Sequence, residues 1–310
     1  MVSNFKRLVF NTFKVNRLPI LTYHRVVEEP DTLYPDNIDK VRFERQMSTL
    51  AMFFNVLPLR DAIVQLKEGC LPKRTICITF DDGYADNADI ALPILKRYEI
   101  SATVFVATGY INGGIMWNDI ILESIRQTKA AKIDLKVYGL DSYELSCVDE
   151  KRCAAKEILR KIKYLQPKKR NEFVCVVQRA LDIEMPKNLM LSDEQIVKLD
   201  SNDIEIGGHT VTHPILKLLD DQEIEWELRE SKRYLEALTN KSVVSFAYPN
   251  GRPGVDFDGR ISKFVARAGY QCSVSTRVGV ASQEDDLFQL PRIGSWDNQR
   301  WKFAARLLMS

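Results

Sequence analysis

Short runs of β-branched and aromatic residues alternate along the chain with stretches whose apolar positions return every three or four residues. Seven runs stand out: Pro19–Tyr23, Thr75–Phe80, Ala102–Ala107, Ile204–Gly207, Val243–Tyr248, Gln271–Ser275 and Phe288–Ile293. Each has the length of a buried strand. Between them Phe43, Met47, Leu50 and Phe54 recur as one helix face. Ile224, Leu228, Ser231, Leu235 and Leu238 do the same, and Asp220–Asp221 ahead of them suits a helix N-terminus, where free N–H groups attract carboxylates. Alternating strands and helices predict a mainly parallel sheet with helices outside it. About seven such units suggest an incomplete or distorted (β/α)7 barrel more than an open sheet.

One region breaks the rhythm. From about residue 112 to 190 helical patterns continue without a convincing strand, so a helical insertion is expected inside a single domain covering 18–310. Within it, residues 151–170 carry nine Lys or Arg and one acid, Glu157. Ala154, Ile158, Ile162 and Leu165 share one side of that stretch. The uncharged run Ile100–Asn118 is long enough to cross a membrane, but its Ser, Thr, Asn and Gly content suits a buried strand followed by a loop. Residues 1–17 place Phe5, Val9 and Phe13 at helical spacing among basic residues, the pattern of a candidate amphipathic helix.

With 45% hydrophobic and 28% charged residues, the composition is that of a globular chain. Forty-four basic residues nearly balance forty-two acidic ones, which argues against a nucleic-acid partner. Cys70, Cys77, Cys147, Cys153, Cys175 and Cys272 are scattered without a CxxC pair and read as reduced, mostly buried thiols. The longest apolar run in the first twenty residues is Leu8–Phe10, short of the 7–15 residues or so of a secretory signal. A cytoplasmic location is therefore expected, with peripheral contact at the inner membrane face through residues 1–17 or 151–170.

Candidate chemistry sits where apolar runs end. The run Ile76–Phe80 leads directly into Asp81, Asp82 and Gly83. Neighbouring side chains at a strand end diverge, so one acid can ligate a metal while the other faces substrate; a turn opening onto a helix N-cap has the same composition. The run Ile204–Ile206 leads into Gly207, Gly208, His209 and, four residues on, His213. Two histidines four apart on one side of a helical turn suit one metal, and the glycines would allow close backbone approach to a site. Two imidazoles and a carboxylate leave coordination positions open for water and substrate. The third histidine, His24, also follows an apolar run.

These residues resemble the polysaccharide deacetylases of the NodB-homology type, carbohydrate esterase family 4. TFDDGY is matched at Thr79–Tyr84, and H-[S/T]-x-x-H-P at His209–Pro214. The resemblance implies that Asp81 is the catalytic base and that Asp82, His209 and His213 bind one divalent metal, zinc first, with cobalt, nickel or iron as alternatives. Phe246–Gly251 resembles the third motif, implying an oxyanion contact at the Asn250 backbone N–H. Its usual Arg is replaced by Ala247, so the cation tethering the base must come from elsewhere, and Arg292 is the candidate. An L-x-x-H element normally lies near the C-terminus; here Leu21–His24 has that form, as in the circularly permuted poly-N-acetylglucosamine deacetylases, which implies His24 as catalytic acid. Leu21 and Trp296 are then candidates for the acetyl pocket, and Tyr84 and Tyr248 for flanking the substrate.

The implied reaction is hydrolysis of an N-acetyl group on an N-acetylated glycan, free or attached to a lipid or nucleotide carrier. A deformylase or another amide hydrolase of the superfamily, a non-catalytic carbohydrate-binding relative, and a non-haem iron oxygenase built on the same triad are the competing readings. The last is opposed by the βα pattern.

Overall fold

All seven apolar runs are strands in the computed structural model, which describes residues 17–295, 297 and 299–309. In chain order they are β1 Ile20–Tyr23, β2 Thr75–Phe80, β3 Thr103–Val106, β4 Glu205–Gly208, β5 Ser245–Ala247, β6 Cys272–Val278 and β7 Leu290–Gly294. Each is parallel to the next, and β1 pairs with both β2 and β7, so the ring closes with spatial order equal to chain order. It is a seven-stranded parallel barrel with two irregular seams. The β6–β7 register shifts between Val274 and Val278, and β4 meets β5 at a single pair, Gly208 with Phe246.

Side-chain alternation divides the strand residues between two clusters. Leu21, Tyr23, Ile78 and Phe80 pack with the surrounding helices, whereas Ile20, Cys77, Phe105, Val274 and Leu290 form a second core. Helix α1 (Lys40–Phe53) buries Phe43, Met47 and Leu50 completely. Each such side chain stabilises the fold by about 1.5–3 kcal/mol relative to exposure. Helices α2 (Leu59–Lys67) and α3 (Leu92–Arg97) follow. Near Gly207 and Gly208 an added Cβ would meet Phe105 and the Tyr270 hydroxyl. Their small size admits core aromatics; the expected backbone approach to the site is not why they are needed.

The insertion lies between β3 and β4. It comprises α4 (Trp117–Gln127), α5 (Val148–Ile162) and α6 (Pro167–Leu181), while α7 (Asp193–Asp200), which follows it, packs Ile196 and Leu199 into the barrel core. It is not wholly helical: Lys132–Asp134 and Ser142–Glu144 form an antiparallel hairpin, and strands of three residues are too short for periodicity to reveal. Trp117, Ile121, Ile125, Ile158, Val177 and their neighbours make a core of its own. Arg126 ties it to the barrel through Asp31 at 2.7 Å, and Arg152 through the Thr32 carbonyl at 2.7 Å. The chain continues through α8 (Asp221–Thr239), α9 (Gly259–Arg267) and α10 (Arg300–Met309). As expected, Asp220 caps α8, accepting from the Glu223 N–H while Glu223 reaches back.

All six cysteines are free, but Cys147, Cys153 and Cys175 are exposed on the insertion, which corrects the expectation of mostly buried thiols. Among the described residues no helix is long and apolar enough to cross a membrane. The candidate amphipathic helix with Phe5, Val9 and Phe13 lies outside the described residues, except that Arg17 joins Leu18 in a short strand against Ala281–Ser282. Trp296 also lies outside them.

Candidate active site

Because the strands are parallel, their carboxyl ends share one rim, and five separate chain segments deliver side chains there. His24 follows β1. Its loop is held by the segment after TFDDGY: the Asn87 side-chain amide donates to the His24 carbonyl at 2.9 Å, and Asp86 accepts the Val26 N–H at 3.0 Å and Arg25 Nε at 2.8 Å. Asp81 and Asp82 follow β2, with Asp82 in a left-handed conformation (φ 76°) that turns its side chain away from that of Asp81. Gly83, at φ 84°, packs its backbone on Val106 so closely that an added Cβ would lie 3.3 Å from the Val106 Cα.

His209 and His213 come from the loop after β4. This loop is not the helical turn expected from their spacing, since Thr210 and His213 both adopt positive φ. It is clamped instead. Buried Glu227, on α8, accepts the Val211 and Thr212 N–H groups at 2.7 and 2.9 Å, while Thr210 Oγ1 accepts the His213 N–H. The result brings the imidazoles together: His209 Nε2 and His213 Nε2 stand 3.2 and 3.3 Å from Asp82 Oδ1. The three ligand atoms lie within 4.8 Å of one another. His209 Nδ1 contacts the Ala247 carbonyl at 2.7 Å, which fixes the proton there and leaves the Nε2 lone pair facing Asp82.

Beside this cluster, Asp81 is buried and receives both guanidinium branches of Arg292 at 2.7 Å each. Arg292 Nε donates to the Ser275 carbonyl, and Nη1 also to Thr79, so its fork is held rigidly. His24 Nε2 lies 3.9 Å from Asp81 Oδ2, with its side chain 54% exposed while Asp81 is at 5%. Burial pushes the Asp81 carboxyl up, but Arg292 outweighs it and leaves it below the usual carboxylate range. Burial likewise opposes ionisation of Asp82, and the two histidines outweigh it. Burial holds His213 below its ordinary value, whereas for His209 the Asp82 contact wins over burial and raises it.

The rim opens into a cleft in two continuous parts sharing His24, Arg25, Asp36, Asn37 and Thr276, of about 700 and 560 Å³. Asn250 lines the larger part at φ 61°, and its N–H has no acceptor among the described residues. Tyr84 also lines it, donating its hydroxyl to Asp119 on α4 at 3.0 Å. Burial and the nearby Asp82 charge push the Asp119 carboxyl up to about 7. Tyr248 reaches the cleft edge, but it is 1% exposed, stacks on Phe257 at 3.7 Å and bonds the Phe288 carbonyl. Leu21 is fully buried under the helices; Thr22 and Tyr23 of the same strand line the smaller part instead.

The sequence profile of the polysaccharide deacetylase family matches residues 68–273, two thirds of the chain. The chain belongs to the polysaccharide deacetylase family. Bacillus subtilis (strain 168) YxkH is 24% identical over 284 residues, covering 91% of this chain and 72% of that one. The poly-β-1,6-N-acetyl-D-glucosamine N-deacetylase of Staphylococcus aureus (strain N315) is 30% identical over 112 residues, which is 32% of this chain and 39% of that enzyme. Among solved structures, the Streptococcus pyogenes deacetylase PplD in complex with acetate aligns at TM-score 0.65 and 22% identity over 96% of this chain and 99% of that one. IcaB from Ammonifex degensii aligns at 0.61 and 17% identity, covering 95% and 98%. At these identities the structural likeness speaks for the fold.

Several residues that hold this deacetylase's rim together were not anticipated: Asp86 and Asn87 under His24, Glu227 under the histidine loop, Ser275 and Thr79 around Arg292, and the Ala247 carbonyl on His209. Asp86 and Asn87 follow the TFDDGY stretch after a single residue, Ala85, which was a usable signal. Glu227 gave none, because an acid on a charged helix face looks solvated until the fold places a loop over it.

Proposed function

We propose that this enzyme removes N-acetyl groups from an N-acetylated sugar in a polysaccharide or glycan intermediate, with a divalent cation at Asp82, His209 and His213. One observation carries the reading: a buried carboxylate–guanidinium pair, Asp81–Arg292, and a half-exposed imidazole, His24, flank a cluster of two imidazoles and a carboxylate on one rim. The cluster fits a cation. Its donors converge, and the Ala247 carbonyl holds the His209 Nδ1 proton, which leaves Nε2 to serve as a ligand. Such a donor set suits zinc, with cobalt, nickel and iron as alternatives.

When bound, the ion supplies Lewis acidity to the amide carbonyl and acidifies a water molecule. Asp81, kept ionised by Arg292, takes the proton of the attacking water. The Asn250 N–H donates to the oxygen that gains charge, a contact of a kind that contributes about 3 kcal/mol. Protonated His24, on the exposed side of Asp81, gives a proton to the departing amine; assistance of this sort typically contributes about 10²–10⁴-fold. Acetate release from a panel of N-acetylated oligosaccharides, with metal content measured alongside, tests the reading. His24→Ala is expected to keep the metal and lose about 10²–10⁴-fold in turnover, whereas His209→Ala loses the metal. Loss of metal from His24→Ala would refute the division of roles, and release of formate from formamido sugars in place of acetate would refute the substrate.

A further inference from the structure

The basic stretch 151–170 is sorted by the fold. Lys151 Nζ donates to the Arg126 and Thr128 carbonyls at the end of α4, Arg152 binds Asp149 and the Thr32 carbonyl, and Lys161 pairs with Asp141. Arg170 is buried over the Trp117 ring, 4.5 Å from its centroid. These four serve the packing of the insertion. Lys156, Arg160 and Lys163 do not: all three line the larger part of the cleft, Lys156 and Arg160 from its exposed edge and Lys163 with its ammonium 5.7 Å from the centroid of the Tyr164 ring, and among the described residues none of the three side chains has an ion-pair or hydrogen-bond partner.

Their spacing of four and three places them along one side of α5 and its C-cap, neighbours at about 5–6 Å. The favourable field at a helix C-terminus accounts for a cation at Arg160 or Lys163, but it does not reach Lys156 in mid-helix, nor does it choose the side facing the cleft. The remaining charges on the cleft wall are largely spoken for. Arg25 pairs with Asp86, Arg126 with Asp31 and Glu123, Arg252 with Asp256, and Asp81 with Arg292. Asp36 is exposed on the part of the wall shared by both halves. Burial lowers the Lys163 ammonium pKa, with Asp256 only partly opposing it, as expected of a half-buried cation awaiting a counter-charge.

We propose that the insertion is the specificity element of the enzyme, and that Lys156, Arg160 and Lys163 bind a phosphate or diphosphate group attached to the sugar being deacetylated. Three cations one turn apart match a multiply charged, extended anion, whereas a neutral glycan makes no use of them. The chemistry is shared by a nucleoside-diphosphate sugar and a lipid-diphosphate-linked sugar. The inference rests on the deacetylase reading above.

The experiment compares kcat/KM for acetate release from tetra-N-acetylchitotetraose, UDP-N-acetylglucosamine and a polyprenyl-diphosphate N-acetylglucosamine in detergent micelles. At low salt at least one diphosphate probe is expected to exceed the neutral one tenfold or more, with the advantage shrinking as salt rises; which probe leads separates the nucleotide from the lipid source. The triple variant Lys156→Gln, Arg160→Gln, Lys163→Gln is expected to lower the ratio of diphosphate to neutral kcat/KM at least tenfold, with metal content and Tm measured to show an intact fold. No preference in the wild type, or a ratio unchanged in the variant, overturns the inference. If no probe releases acetate, the deacetylase reading falls. Calorimetric binding of the two diphosphate probes then still decides the basic face: a tenfold loss in the variant supports it and equal binding refutes it.

Discussion

Replacing Arg292 by Leu isolates the electrostatics of the site. The guanidinium makes two 2.7 Å bonds to Asp81, one to the Ser275 carbonyl and one to the Thr79 hydroxyl. Leucine fills part of the space but leaves a buried carboxylate without its counter-charge, a loss of about 3–5 kcal/mol. With an unfolding entropy of about 2.1 cal/mol/K per residue over 310 residues, this lowers Tm by about 5–8 °C. The pH dependence follows from the sign of the shift. In the wild type Asp81 titrates below its usual range, so the pair's contribution is complete above the unfolded value of about 3.9 and is lost as pH falls through the folded one. In the variant burial dominates, the folded pKa rises above 3.9, and the penalty grows as pH climbs past about 4. The deficit in Tm, measured on chelated protein, should therefore be larger at pH 7 than at pH 4. Adding Asp81→Asn removes the stranded charge, so the double variant should recover about 2 kcal/mol or more relative to Arg292→Leu. Neither variant should recover turnover, which is expected to fall about 10²–10⁴-fold. A single variant within 1 kcal/mol of wild type, or a double variant no more stable than Arg292→Leu, would refute the reasoning.

Glu227→Gln should weaken metal binding about 10–100-fold, because the charge that clamps the Val211 and Thr212 N–H groups orients His209 and His213; an unchanged affinity in a competition titration with a chromophoric chelator would show that the loop holds itself. Asp31 receives Arg126 and the Leu33 and Tyr34 N–H groups, which outweigh burial and lower its carboxyl to about 2. The stability it adds is present above the unfolded pKa near 3.8 and disappears as pH falls toward 2. Asp31→Asn should therefore cost roughly 1 kcal/mol at pH 6, after allowing for solvent screening, and progressively less in acid. A Tm difference that does not narrow between pH 6 and pH 3 would contradict this.

Much of the molecule was legible before any coordinates. All seven strands were recognisable because each is buried on both faces, apart from the exposed end of β6 at Thr276–Val278, and so reads as a nearly unbroken apolar run, with ends displaced by at most three residues. Their carboxyl ends carried Asp81, Asp82, His209 and His24, and parallel strands must gather such ends on one rim. Arg292, near the end of the seventh strand, could be named as the partner of Asp81 because the family resemblance implies a tethering cation and Ala247 stands in its usual place. The hairpin in the insertion and the positive φ of Thr210 and His213 left no trace, because three-residue strands lack a period and left-handed residues other than glycine carry no compositional mark.

The barrel strands and the longer helices of this chain thus follow from amino-acid pattern alone, because the period of burial along an element is a property of neighbours in sequence. Tertiary structure alone decided how the charges are used. The nine cations between 151 and 170 are equivalent as written, yet folding assigns Lys151 to a helix end, Arg170 to an indole face, and Lys156, Arg160 and Lys163 to the cleft. A charge acquires its role from the counter-charge or carbonyl that folding brings within a few ångströms, and those partners come from segments as distant as Asp81 and Arg292.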